Sequence, residues 1–581
     1  MKSKVIKENV YRTHSCGELR IENVGAEVRL AGFVASIRKF GGITFVVLRD
    51  HYGSTQLIID EKLMAGVTKE CTITVEGSVV ERTSKNANMP TGDIEVVVKS
   101  LKVLGKCNNV LPFEVLDNNA KEDVRLKYRY LNLRNPLYHQ NIVRRAEILN
   151  YTRNKMTEMG FTEVQTPILT SSSPEGARDF IVPTILSPGE FFALPQAPQQ
   201  FKQLLMISGF DKYFQIAPCF RNEAARADRT PGEFYQIDLE MSFATQEDVF
   251  AVCEELAHGL YSKFTKFDLC KKPFKRIPYL QAMELYCSDK PDLRNPLIVK
   301  DLTEIFKDSG FSALSGKVVK AICCPAGEQP RRFYDELSKI IVDNEGKGVI
   351  WYKYNDNQLA GSSLKYLSET EIKNMVSIMQ PKNGDSLFLV ADNKPRIYNL
   401  ANVLRNELGA RCNLIDNNRV EFCWITDFPF FEANEDTGAI EFSHNPFSMP
   451  QGGMDALLNQ NPFEIKAYQY DLVCNGYEML SGAVRNHDPE VMVKAFEMAG
   501  YPREVVENKF PALFNAFNYG APPHAGAAFG FDRMLMPILG ADNIRDVIAF
   551  PLTKSGKDLL MGAPSKIDEK TLRELGIKVD K

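Results

Sequence analysis

The sequence predicts a multidomain α+β protein: a small N-terminal β-barrel, then a larger core that an inserted α+β module splits in two. Three observations carry this expectation. Residues 1–110 read as short strands punctuated by glycine. From Arg125 onward, helical patterns alternate with strand-like pieces. Residues 299–418 then mix short strands with helices and lack the Arg, Glu and Gln density found on either side. A length of 581 residues is enough for about four domains. Hydrophobic residues at 44% and charged residues at 25% exclude bulk disorder.

Five runs are predicted strands of the barrel: Val28–Val34, Thr44–Asp50, Thr55–Asp60, Cys71–Val80 and Asp93–Leu101. Gly41-Gly42 and Tyr52-Gly53 separate the first three. This number and spacing fit an oligonucleotide-binding barrel, the OB-fold. Residues 111–139 read as a hinge. The core then occupies 140–298 and resumes at 419–581, around the insertion. In its first part Leu137 to Gly160 is a predicted helix stopped at Met159-Gly160, and Gln246 to Phe267 is another. Between them lie predicted strands at Thr166–Leu169, Glu190–Leu194, Tyr213–Ala217 and Phe234–Glu240. The insertion has predicted strands at Val318–Cys324, Val349–Tyr354 and Ser386–Ala391.

The net charge of −4 excludes a binder of nucleic acid that works by bulk charge alone, though not one with local basic surface. Met1–Glu8 has no apolar signal region, and no run of about 18 apolar residues occurs, so a cytoplasmic protein with no membrane contact is expected. The 12 cysteines are scattered without a C-x-x-C and read as reduced core residues. The 7 histidines show no metal-ligand spacing.

Two segments carry chemistry. In Cys219–Glu240 (CFRNEAARADRTPGEFYQIDLE), a strand ends in Arg221, an arginine-bearing loop follows, and a strand returns. On the returning strand Phe234, Gln236, Asp238 and Glu240 share one face. That face is polar and carries two acids, so it is not expected to be buried. An arginine beside it is a fork for phosphate or carboxylate. A surface hairpin laced with salt bridges is the alternative. In Pro522–Arg533 (PPHAGAAFGFDR), Gly526 and Gly530 allow close backbone approach, and Arg533 emerges inside an apolar run. A charge there is costly unless an anion meets it.

These segments resemble motifs two and three of the class II aminoacyl-tRNA synthetases, and Gly160–Pro167 resembles motif one. Within that class the chain is similar over nearly its whole length to the bacterial-type aspartyl-tRNA synthetase family. The further motifs are Arg129–Arg134, Ser173–Phe180, Leu194–Gln203, Ser288–Pro296 and Asp542–Pro551, together with the insertion. The resemblance implies a class II catalytic domain on an antiparallel sheet. It implies activation of L-aspartate by ATP with Mg²⁺, then transfer to the 3′-terminal adenosine of tRNA(Asp), with tRNA(Asn) a second acceptor in one branch.

The resemblance also assigns residues. Arg221 bridges the ATP α-phosphate and the aspartate carboxylate, and Glu223 and Arg533 complete the catalytic set. Asn222, Thr230, Phe234, Glu478, Gly530, Phe531 and Asp532 join these three around ATP, Phe234 stacking on adenine. Asp471 and Glu478 hold Mg²⁺ through ATP. Lys202 and Arg485 meet the aspartate side chain. Glu175, Gln199 and Asp238 meet its ammonium, and His444 closes the site. In the barrel Arg38, Phe45 and Gln56 are the implied anticodon readers. By pattern alone Phe45 belongs to the barrel core. Motif one around Pro167 implies a homodimer.

Several positions depart from the family's commoner forms: Ala197 for Ser, Leu480–Ala483 for a glycine run, an extra Gly232, Phe33 for Trp, and Asn445 for a second His. The variants at Asn445 and Leu480–Ala483 favour the branch that charges both tRNAs. An inactive RNA-binding paralogue would have lost Arg221, Glu478 or Arg533, and all three stand here. An enzyme with a non-tRNA acceptor would usually lack the barrel.

Overall fold

The computed structural model describes residues 9–172, 178–223, 232–434 and 437–580. They form two compact units, Met1–Asp117 and Asn118–Lys581.

The first unit is a closed five-stranded barrel: β1 (Glu27–Phe40), β2 (Ile43–Arg49), β3 (Ser54–Asp60), β4 (Thr72–Glu81) and β5 (Ile94–Gly105), in the order β1-β2-β3-β5-β4. Alternation builds it. In β4, Ile73, Val75 and Val79 point to a core shared with Leu30, Val46, Leu57 and Val96. The β1–β2 hairpin turns on Gly41 and Gly42, at φ 56° and 84°. Left-handed backbone at both turn positions matches the strand twist and favours glycine.

The second unit is organised by an eight-stranded sheet. Its strands run, edge to edge, Lys275–Pro278, Phe422–Thr426, Gln469–Cys474, Tyr477–Val484, His524–Gly530, Gly232–Ser242, Lys212–Arg221 and Thr162–Glu163. The interior pairings are antiparallel, and only the two edge pairings are parallel. Strands from before and after the insertion therefore interleave in one sheet. Helices Pro136–Glu158, Gln246–Phe264 and Phe531–Leu539 contribute to its main core, where the Trp424 ring stacks on Phe250 at 3.9 Å. Asn135 caps the first of these, its side chain accepting from the Leu137 N–H, with Pro136 at the first helical position.

The insertion has its own antiparallel sheet, ordered Val299–Asp301, Val318–Cys324, Asp385–Asp392, Ile350–Asn355 and Gln358–Ala360. One face packs on helices Arg331–Asp343 and Arg396–Arg411 through Phe333, Leu337, Leu400 and Leu404. The other packs on helix Glu369–Met379 through Met375 and Met379.

Two expectations change. Thr166–Leu169 is not a strand, because Pro167 has no N–H for a ladder; the short strand is Thr162–Glu163 instead. The stretch read as a hinge also divides. From Asn118 it belongs to the second unit, where Arg129 is fully buried and donates to the carbonyls of Arg545, Ile548 and Ala549. Among the described residues no helix is long and apolar enough to cross a membrane.

Candidate active site

The site is built on the sheet floor formed by Lys212–Arg221, Gly232–Ser242, His524–Gly530 and Tyr477–Val484. Register sets Glu240 opposite Gly526 and Asp238 opposite Ala528. Only glycine fits at 526, since a Cβ there would lie 2.0 Å from Glu240 Oε2. Small residues on the neighbouring strands thus leave room for the polar cluster.

One cavity, of about 450 Å³, is lined by Gln199, Lys202, Asp238, His444 and Arg485 among others. Behind it the charges are buried and paired. Lys202 Nζ lies 2.6 Å from Asp238 Oδ1 and 3.3 Å from Glu240 Oε2. Arg485 grips Glu240 with two hydrogen bonds, of 2.8 and 3.1 Å. All four side chains are at most 3% exposed. The face of Gly232–Ser242 expected to be open is therefore closed at Asp238 and Glu240. Two cations from other elements neutralise the acids, and chain neighbours could not reveal that. Burial alone would raise the Glu240 carboxyl, but Arg485 and Lys202 hold it below its usual range. Burial raises the Asp238 carboxyl, and Lys202 offsets this only in part. Asp238 lines the cavity, and its Oδ2 is buried without a hydrogen bond that meets the geometric limits. His444 lines the cavity against Phe428, ring centroids 5.1 Å apart, and burial lowers its pKa.

A second cavity, of about 320 Å³, is lined by Arg221, Phe234, Glu478, Gly530 and Arg533 among others. The two cavities share Arg221, Gln236, Ser481 and Ala528. Arg221 holds its guanidinium 5.0 Å from the Phe234 ring centroid, and its Nε is buried without a partner. Arg533 donates to the Glu478 carbonyl at 2.9 Å. Asp471 is buried with Oδ1 unpartnered. Burial and the nearby Glu478 push its carboxyl up to about 8. Lys290 Nζ stands 3.4 Å from Glu478 Oε2. A carboxylate pair with an orphaned oxygen suits a hard cation that also binds phosphate oxygens. Among the described residues no cluster of three or more His, Cys, Asp or Glu could cage a metal alone.

The structure thus brings Gln199, Lys202, Arg221, Asp238, His444 and Arg485 around one cavity, and Arg221, Phe234, Glu478, Gly530, Asp532 and Arg533 around the other. Asn222 and Glu223 follow Arg221 beyond the strand end. Phe531 is fully buried, and the Asp532 carboxylate is engaged by Arg145 and the Tyr235 N–H. Glu175 and Thr230 lie outside the described residues. Sequence reasoning missed Glu240 as the hub of the buried pairs, although its spacing from Asp238 put both on one face. It also missed Gln236, which borders both cavities, and Lys290.

In the barrel, Phe45 is half-buried on the outer face while Val46 and Leu48 fill the core, so the pattern-based core placement is corrected. The alternation in β2 starts one residue earlier than the apolar run suggests. Arg38 pairs across from Phe45 on β1. On β3, Gln56 Nε2 donates to Glu95 at 2.7 Å, and Gln56 Oε1 accepts from Arg82 at 2.9 Å.

Comparison with known proteins gives consistent findings. Residues 121–554 match the family described as tRNA synthetases class II (D, K and N), and residues 28–104 match the OB-fold nucleic acid binding domain. The chain is 51% identical over 586 residues to the aspartate–tRNA(Asp/Asn) ligase of Gluconobacter oxydans (strain 621H), covering 98% of each chain. It is 49% identical over 581 residues to the aspartate–tRNA ligase of Streptomyces coelicolor, covering 98% of this chain and 99% of that one. Among solved structures, the fold resembles asparaginyl-tRNA synthetase from Pyrococcus horikoshii complexed with asparaginyl-adenylate, with a TM-score of 0.55 at 19% identity, covering 94% and 98% of the two chains. It also resembles aspartyl-tRNA synthetase from Entamoeba histolytica, with a TM-score of 0.54 at 19% identity and coverage of 91% and 89%.

Proposed function

Because this chain belongs to the class II tRNA synthetases of the aspartate, lysine and asparagine group, we propose that it is an aspartate–tRNA ligase that charges both tRNA(Asp) and tRNA(Asn). The observation that carries this is the meeting of two cavities at Arg221. One has buried cations and the Asp238 carboxylate for an amino acid with two carboxylates and an ammonium. The other has an aromatic face and arginines for a nucleoside triphosphate.

Aspartate enters with its ammonium toward the Asp238 carboxylate and its side-chain carboxylate toward Lys202 and Arg485. ATP lies on Phe234 with its phosphates toward Arg221 and Arg533. Arg221 then holds the aspartate α-carboxylate and the α-phosphate together. A carboxylate oxygen bonds to the α-phosphorus while the bond to pyrophosphate breaks, giving aspartyl-adenylate. The terminal ribose hydroxyl of tRNA next attacks the acyl carbon, and AMP leaves. No protein nucleophile is needed, since positioning and charge stabilisation lower the barrier. Asp471 and Glu478 would hold Mg²⁺, which supplies charge neutralisation on the phosphates.

Aspartate-dependent ATP–pyrophosphate exchange tests the first step. Asparagine should be rejected strongly, because its amide N–H donors would face the cations Lys202 and Arg485 where a carboxylate accepts from them. Efficient asparagine activation would contradict the assignment. Labelled aspartate with purified tRNA(Asn) tests the second acceptor. Efficiency below that for tRNA(Asp) by about a thousandfold, roughly 4 kcal/mol, makes the enzyme strict. Seven relatives at 49–51% identity are named for both tRNAs, whereas the Streptomyces relative is named without that extension.

Finer parts of the proposal follow. Arg38, Phe45 and Gln56 read the anticodon, Phe45 by stacking worth about 1–3 kcal/mol per base. A twofold homodimer forms through motif one. Ile168 and Leu169, 47% and 51% exposed beside Pro167, support this. Light scattering should then give about twice the chain mass of 65.5 kDa. The cytoplasm is the compartment that supplies ATP and tRNA together.

A further inference from the structure

The cavity that takes aspartate is backed by side chains that never reach its surface. Gln203 and His524 are fully buried and stand behind Gln199, which lines the cavity. His524 Nδ1 lies 2.8 Å from the Pro522 carbonyl oxygen. A carbonyl only accepts, so Nδ1 carries the proton and Nε2 of the neutral ring is an acceptor. Gln203 Nε2 donates to it at 3.0 Å. That choice orients the rest of the Gln203 amide: its Oε1 faces Gln199 and accepts from Gln199 Nε2 at 3.1 Å. The two glutamines are four residues apart on helix Gln199–Ile207, a spacing that puts them on one face. A direction set by a main-chain carbonyl is thereby passed through three side chains. Its last member, Gln199 Oε1, accepts no hydrogen bond among the described residues.

We propose that Gln203 and His524 are positioning residues that hold the Gln199 amide with its oxygen, not its nitrogen, toward the substrate ammonium. This rests on the reading of the cavity as the aspartate site. Turned the other way, the amide would set N–H donors against an ammonium that can only donate. An amide with no lock would divide its population between the two orientations, and only the acceptor orientation binds well. The surroundings keep the ring in the neutral form that the relay needs. Burial lowers its pKa, Glu240 works against this, and Arg485 and His487 work with it.

Gln203→Met removes the link while keeping the volume. In pyrophosphate exchange its aspartate KM should rise about tenfold or more, with kcat and ATP KM within about twofold of wild type. Succinate, which keeps both carboxylates but has no ammonium, should inhibit variant and wild type equally. His524→Leu should show the same split and serves where Gln203→Met does not fold. Gln203→Glu, which keeps an acceptor toward Gln199, should restore the aspartate KM to within about threefold. An unchanged aspartate KM in Gln203→Met and His524→Leu, or an equal loss of succinate and aspartate binding, overturns the relay. A wild-type enzyme without aspartate-dependent exchange instead overturns the parent assignment.

Discussion

The two cavities that meet at Arg221 manage charge in opposite ways. In the amino-acid cavity the charged groups behind the wall are paired with one another: Lys202 with Asp238 and Glu240, and Arg485 with Glu240. On the nucleotide side, Arg533 and Glu478 line the cavity without an ion pair between them, and Asp471, buried nearby, keeps Oδ1 without a partner. The first cavity is backed by a lattice of ion pairs that a small ligand joins. The second carries unbalanced charge that a polyanion and its cation complete. A selective pocket for a small charged substrate needs its groups fixed beforehand, because each misplaced group erodes discrimination. A site for phosphates can keep charge in reserve, because the ligand brings enough charge to satisfy it.

The largest expected effect breaks the lattice. Glu240→Gln leaves Arg485 and Lys202 buried with half their compensation, which should cost about 3–5 kcal/mol of stability. Urea denaturation measures it. The Glu240 carboxyl is held below its usual value, so the wild-type contribution is present at neutral pH and is lost as pH falls through the native pKa. The Gln variant should lack that acid-side loss. Wild-type stability in the variant would mean the pairs are dispensable.

Charge removal in the other cavity should act on catalysis rather than folding. Arg221→Ala or Arg533→Ala should lower pyrophosphate exchange by a hundredfold or more, about 2.7–4 kcal/mol, with urea midpoints near wild type. Near-wild-type exchange in either variant removes the phosphate clamp.

The smallest expected effect is the sharpest contrast. Asp471→Asn removes a buried carboxyl that burial and Glu478 push up to about 8, so the ligand-free chain should gain about 1 kcal/mol or more of stability. Exchange should fall at the same time. The opposite sign in stability would show that Asp471 is compensated within the chain, as Glu240 is by Arg485 and Lys202.

Much of this was legible in the sequence. Alternation and glycine turns defined the barrel, and the change of character near residue 299 marked the insertion. The motif arginines were readable because a charge inside an apolar run needs an anion. Phe45 was misplaced by pattern, since an apolar run of four does not say which alternate residues face inward. The polar face of Gly232–Ser242 was misjudged for a related reason: two acids argue for solvent until their cations are known.

The sequence by itself determined the two kinds of architecture, the interruption of the core, and the residue types available for phosphate and carboxylate chemistry. These depend on periodicity and local steric limits, which act between chain neighbours. Only the tertiary structure decided that Glu240 is the hub between Lys202 and Arg485, that Asp238 pairs with Lys202, and that Pro522 orients Gln199 through His524 and Gln203. Those outcomes join residues as far apart in the chain as 203 and 524, and a buried charge or amide takes its state from whatever packing sets within hydrogen-bond reach.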